Sequence, residues 1–271
     1  MVSNEALAGM AVTAIVSTAL PVGVFLAARR SMMLSLRNVV VGAVLFVLFA
    51  RGLEWVIFES TPRIAPQLGV WFMAHAPVLA LYGAVVSGVV EEGGRYLGLR
   101  YLARPREQTG TAVAYAIGHG GAEAIIVGVL GVFSALVVGV LINAGQLDSA
   151  LDSYVSRTTL VQMRGLEHVT GPMMAIGGVE RIGSFIFQFA LTLVVWRSIR
   201  TNAPWLFAAA VLAHIALGLP AWLVVMGVLH ISLWIYEGIY LIPALGVLAI
   251  LVIRLQPERP SAASSARSLL L

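Results

Sequence analysis

Seven stretches of roughly 20 or more mainly apolar residues run along this chain, near 6–28, 38–58, 70–99, 110–143, 172–196, 203–227 and 229–253. A helix of about 20 residues, rising about 1.5 Å per residue, crosses a hydrocarbon core of about 30 Å. Inside that core every backbone N–H and C=O must find its partner within the protein, which leaves a chain patterned this way one architecture. It should be an all-α, polytopic membrane protein of about seven transmembrane helices, with residues 1–256 forming a single helical domain. The small-residue stretch after Pro260 marks 257–271 as a tail expected to be disordered.

Composition agrees and narrows the function classes. Of 271 residues, 59% are hydrophobic and 11% charged, against about 25% charged in soluble proteins. Disordered, collagenous, disulfide-rich secreted and nucleic-acid-binding classes are excluded. The net charge of +4 comes from 17 basic residues, all of them arginine, and these sit mostly in short loops, where charge sets topology. There is no cysteine, so a metal would have to be held by histidine and carboxylates. The first run follows the polar start MVSNEA and is too long for a signal peptide, which makes it a permanent helix.

Arginine also orients the set. Arg29, Arg30 and Arg37 flank the first loop, Arg100, Arg104 and Arg106 the third, Arg197 and Arg200 the fifth, and Arg254, Arg259 and Arg267 the tail. The excess-positive side is the cytoplasm, so the N-terminus is expected outside and the C-terminus inside. The fourth run is longer than a bilayer needs and should tilt, protrude or break near Gly118, Gly120 and Gly121. The 144–170 segment is the one long hydrophilic connection.

An ionisable side chain within a span costs at least about 2.5–3.5 kcal/mol on insertion scales and needs a reason to be there. Sorted by distance from the cytoplasmic helix ends, these residues form two layers. The inner layer holds Glu91, Glu92 and Arg95 on the third span, His119 and Glu123 on the fourth and His214 on the sixth, with Gln188 of the fifth at similar depth. The outer layer holds Arg51, Glu54, His75, Glu180, Arg181, His230 and Glu237, with the mixed signs of an ion-pair network.

The inner layer has the chemistry of a site. His119 and Glu123, four apart in GHGGAEA, stack on one helix face, and the glycines beside them let another chain come close. In EEGGR, Glu91 and Arg95 share a face by the same spacing, with Glu92 about 100° away. Two imidazoles and up to three carboxylates suffice for a zinc site of two histidines and one glutamate, with a further glutamate as general base. Each feature also has a structural explanation: an interhelical hydrogen bond for His119 and Glu123, a snorkelling cap for EEGGR, a satisfied buried histidine for His214. The shared depth on three separate helices favours a site. For Arg51, Glu54, Glu180, Arg181 and Glu237, packing and orientation are the favoured role.

The order Glu91-Glu92-Gly93-Gly94-Arg95, Gly118-His119-Gly120-Gly121-Ala122-Glu123-Ala124, Glu180-Arg181 and His214 resembles the YhfC family of bacterial intramembrane metalloproteases. That family is similar to the CAAX-prenyl-protease and bacteriocin-processing superfamily, with its Glu-Glu-x-x-x-Arg helix and histidines on two later helices. The resemblance implies a peptidase embedded in the bacterial inner membrane, with a site open toward the cytoplasm. Glu91 then corresponds to the water-activating glutamate, Glu92 supports it and Arg95 holds the pair. His119 and His214 correspond to metal-binding or oxyanion-stabilising histidines, and Glu123 completes a metal set of His119, Glu123 and His214, with zinc as the expected ion. Three positions depart from the wider pattern: Arg95 comes one residue early, Gln188 stands where a histidine is expected, and Gly218 where asparagine is frequent.

The expected function is hydrolysis of a peptide bond by a Glu91-activated water, zinc-assisted or metal-free, in a cavity near the cytoplasmic side. The expected partners are a membrane-protein or lipidated peptide substrate and the lipid bilayer. A proton-coupled transporter would use a similar relay of intramembrane ionisable residues, although no internal repeat is visible. A catalytically inactive scaffold would account for Gln188 and Gly218.

Overall fold

A computed structural model describes residues 1–232 and scattered positions between 234 and 249. The described residues form helices and no strand. Six helices are long and apolar enough to cross a membrane: α1 (Asn4–Ala28), α2 (Leu36–Ile64), α4 (Ala76–Leu102), α5 (Thr109–Asn143), α8 (Gly171–Thr201) and α9 (Pro204–Val225). Shorter helices are α3 (Pro66–Ala74), α6 (Leu147–Leu151) and α7 (Arg157–Arg164). The expected seventh span at 229–253 falls partly, and the expected tail at 257–271 entirely, outside the described residues.

Local chemistry sets the helix ends. Ser3 accepts from the Ala6 amide to cap α1, Ser156 caps α7 by accepting from Thr159, and Thr170 caps α8 by accepting from Met173. α8 stops where Asn202 turns into the left-handed region at φ 51°. The apolar run expected as one span over 70–99 is divided between α3 and α4, because Pro66 and Pro77 each start a new helix. The long fourth run does not break at its glycines. α5 runs through them, widens into a π-helical stretch at Ala124–Leu130 and continues to Asn143.

α8 lies at the centre, packed against α1, α5 and α9, while α2 crosses α5 and α9 pairs with α4. The closest crossings use glycine. A Cβ at Gly118 of α5 would stand 1.9 Å from the Val39 carbonyl oxygen of α2, and one at Gly42 would stand 2.2 Å from the Tyr115 carbonyl oxygen. With no Cβ at either position the two backbones pack directly together, as membrane helices do through small residues.

The two ends of the bundle differ. At the arginine-rich end, the Asn38 side chain pairs with both the amide and the carbonyl of Arg104, and the Trp196 indole donates to the Arg106 carbonyl at 2.7 Å. A large apolar core of Leu45, Leu99, Tyr115, Leu191, Val195 and Trp196 fills this half. At the opposite end the 144–170 connection folds into α6, α7 and a 3₁₀ turn over Val2, Ala6, Met10 and Ile142. There the Asn143 side chain holds both backbone groups of Val2.

Candidate active site

Four helices bring one polar cluster into the apolar bundle. α4 supplies Glu91, Glu92 and Arg95, α5 His119 and Glu123, α8 Ser184 and Gln188, and α9 His214. Glu92 and Arg95 are each 0% exposed. One guanidinium nitrogen of Arg95 donates to both Glu92 oxygens at 2.8 and 3.0 Å. The other reaches His119 Nε2 at 2.9 Å and the Gln188 side-chain oxygen. Glu92 also accepts from His214 Nδ1 at 2.8 Å. Glu92 and Arg95 therefore form the hub that fixes both imidazoles.

Glu91 is placed differently. Its carboxylate accepts from Gln188 Nε2 at 3.1 Å, stands 3.6 Å from His119 Nε2 and 3.9 Å from His214 Nε2, and borders a cavity of about 190 Å³. Glu123, Ser184, Gln188 and His214 line the same cavity. The neighbouring carboxylates of EEGGR thus have separate surroundings, one in a closed salt bridge and one facing open space.

The structure brings Glu91, Glu92, Arg95, His119 and His214 together in one network. It corrects one pairing: Arg95 binds Glu92, three residues away, rather than Glu91, four away. Both spacings put residues on one helix face, and Glu92, enclosed on all sides, needs the charge partner more. Glu123 is not joined to either histidine by a hydrogen bond. It accepts from Gln188 at 2.6 Å and from Ser184, with Arg181 at 3.9 Å. Arg181 in turn pairs with Glu180, as the outer ion-pair layer predicted.

Two residues carry more of the site than the sequence suggested. Gln188 joins Arg95, Glu91 and Glu123 at once, which uses both functions of an amide; a histidine there could not accept and twice donate in the same way. Glu54, expected to serve packing and orientation, is buried and accepts from Ser87, a cavity-lining residue, at 3.2 Å, while its other oxygen has no hydrogen-bond partner. Arg51 lies over the Phe46 ring. Glu54 directly follows a π-helical stretch, Val47–Leu53, that contains Arg51. The sequence signal for Glu54 was its position inside a span; the π turn is not written in any motif.

The model of the YhfC intramembrane metalloprotease family matches residues 16–240. The chain belongs to this family. It is also 29% identical over 248 residues to the uncharacterized membrane protein YhfC of Bacillus subtilis (strain 168), a match covering 91% of this chain and 96% of that protein. No solved structure matches. With six spanning-length helices and these relatives, the protein is a multi-pass integral membrane protein.

The family's name implies a metal, and the donors here can be tested for one. Zinc draws nitrogen and oxygen lone pairs onto one point at about 2.0–2.2 Å. Arginine can only donate, so its bond to His119 Nε2 occupies that nitrogen's lone pair and places the ring proton on Nδ1. His214 Nδ1 faces Glu92, and Glu123 is held by Ser184 and Gln188. Among the described residues no group of three or more histidines and carboxylates is arranged to hold a metal. The expected set of His119, Glu123 and His214 does not converge, and in this arrangement the residues do not fit zinc.

Proposed function

We propose that this YhfC-family protein is an intramembrane peptidase in which Glu91 activates water without a step through a metal. The observation that carries this reading is the division of labour between adjacent carboxylates. Glu92 is locked against Arg95 and His214, whereas Glu91 faces the cavity with two imidazole nitrogens beyond hydrogen-bonding distance. The 3.9 Å between Glu91 Oε1 and His214 Nε2 is too long for a direct hydrogen bond and short enough for one water to touch both.

In the reaction, Glu91 takes a proton from that water as the oxygen attacks the scissile carbonyl carbon. His214, its other nitrogen held by Glu92, donates from Nε2 to the developing oxyanion when the ring is protonated. Glu91 then passes its proton to the leaving nitrogen, and the C–N bond breaks. Gln188 orients the base by donating to it, and Arg95 fixes Gln188. Substrates of this reading are polypeptide segments within or anchored to the membrane.

The test is cleavage of a membrane-anchored fluorogenic peptide by the protein in proteoliposomes, with and without a strong zinc chelator. Cleavage that survives chelation supports the metal-free glutamate reaction. Cleavage abolished by chelation and restored by zinc would overturn it. Absence of cleavage beside solute uptake would instead favour a carrier.

A further inference from the structure

The cavity beside Glu91 extends in one direction. α4 and α8 run toward the arginine-rich end and α9 runs away from it. Ala84 and Ser87 precede Glu91 on α4, Arg181 and Ser184 precede Gln188 on α8, and Gly218 and Trp222 follow His214 on α9. All six lie between the site and the end opposite the arginines. At about 1.5 Å per residue, this lining reaches about 10–12 Å from the level of Glu91 and His214.

Toward the arginine-rich end the bundle is closed. Arg95, Leu99, Tyr115, Val195 and Trp196 are each no more than 2% exposed, and the Trp196 bond to the Arg106 carbonyl ties that end shut. One wall of the open direction is polar along its length. Glu180 pairs with Arg181, Arg181 approaches Glu123 at 3.9 Å, Ser184 donates to Glu123, and Gln188 bridges Glu123 and Glu91. Such a row can admit water and can pair with the freed backbone of an unwound peptide, both of which cleavage inside a bilayer requires.

Arginine-rich ends face the cytoplasm. Resting on the peptidase reading above, we propose that substrate and water reach Glu91 from the extracytoplasmic half of the bilayer. The substrate class is then a membrane-anchored polypeptide whose scissile segment is presented on that side, rather than a lipidated peptide arriving from the cytoplasm. This reverses the side of entry that the superfamily resemblance implied.

The chain contains no cysteine, which makes side-specific labelling direct. Single variants Ser87→Cys and Ala221→Cys probe the cavity, Glu107→Cys marks the arginine-rich loop and Ser149→Cys the opposite cap. Each is exposed to a membrane-impermeant thiol reagent in right-side-out and in inverted membranes. The proposal expects both cavity cysteines to react at least tenfold faster in right-side-out membranes, together with Ser149→Cys and opposite to Glu107→Cys. Reaction together with Glu107→Cys, from both sides equally or from neither overturns it. So does reversal of the two markers, because the open end would then face the cytoplasm. Labelling needs no turnover, so repeating it with Glu91→Gln also present separates the entry route from the peptidase reading: loss of cleavage with labelling retained leaves the route standing.

Discussion

Two neighbouring glutamates with different surroundings carry the account at the residue scale. Removing the charge from an enclosed ion pair leaves its partner buried and uncompensated, at a cost of about 3–5 kcal/mol. Arg95→Met is therefore expected to lower unfolding stability in detergent by about that amount, since both Glu92 and His119 lose a partner. Denaturant unfolding checks it, and a loss below about 1 kcal/mol would show that the hub is not structural. Gln188→Ala should reduce cleavage about tenfold or more with less effect on folding, because it frees the Glu91 carboxylate to turn; kinetics on folded variant would show no change if the amide were incidental. The sequence showed which residues share a depth, since a charge inside a span stands out. It could not show which glutamate Arg95 takes, because spacings of three and four are equivalent on a helix and burial decides between them.

At the element scale, a helix crossing through glycine explains Gly118 of GHGGAEA, and Gly94 of EEGGR leaves room for the Phe49 ring, whereas Gly93 faces open space. Gly118→Ala would push a Cβ to 1.9 Å from the Val39 carbonyl, and α2 cannot retreat without leaving the core. A loss of about 1–3 kcal/mol follows. Gly93→Ala meets nothing within 4 Å and should gain about 0.5–1 kcal/mol from the better helix former. Parallel thermal unfolding of the two variants tests the pair: equal effects would mean that the crossing is looser than described. The positions of the six spanning helices among the described residues were legible from apolar runs, apart from the Pro77 break before α4. The π-helical stretches in α2 and α5 were not, because a local widening of the helix leaves the hydropathy unchanged.

For the molecule as a whole, the tight core lies at the arginine-rich end and the lined cavity opens toward the other. Local opening follows packing. Backbone amides of Thr111–Gly121 in α5 and Leu191–Trp196 in α8 should exchange with deuterium at least tenfold more slowly than those of Ala76–Gly83 and Gly131–Asn143. Uniform protection across both halves would contradict the asymmetry. The family and the membrane architecture were readable from motif order and hydropathy. The one-sided cavity was not, because it depends on which faces of α4, α8 and α9 meet.

The central claim is that EEGGR divides into a base and an anchor. The most direct measurement compares Glu91→Gln and Glu92→Gln for both peptide cleavage and thermal unfolding. The account predicts that Glu91→Gln lowers cleavage about 10²–10⁴-fold with an unchanged unfolding temperature, and that Glu92→Gln lowers the unfolding temperature. Retained cleavage in folded Glu91→Gln protein would contradict it.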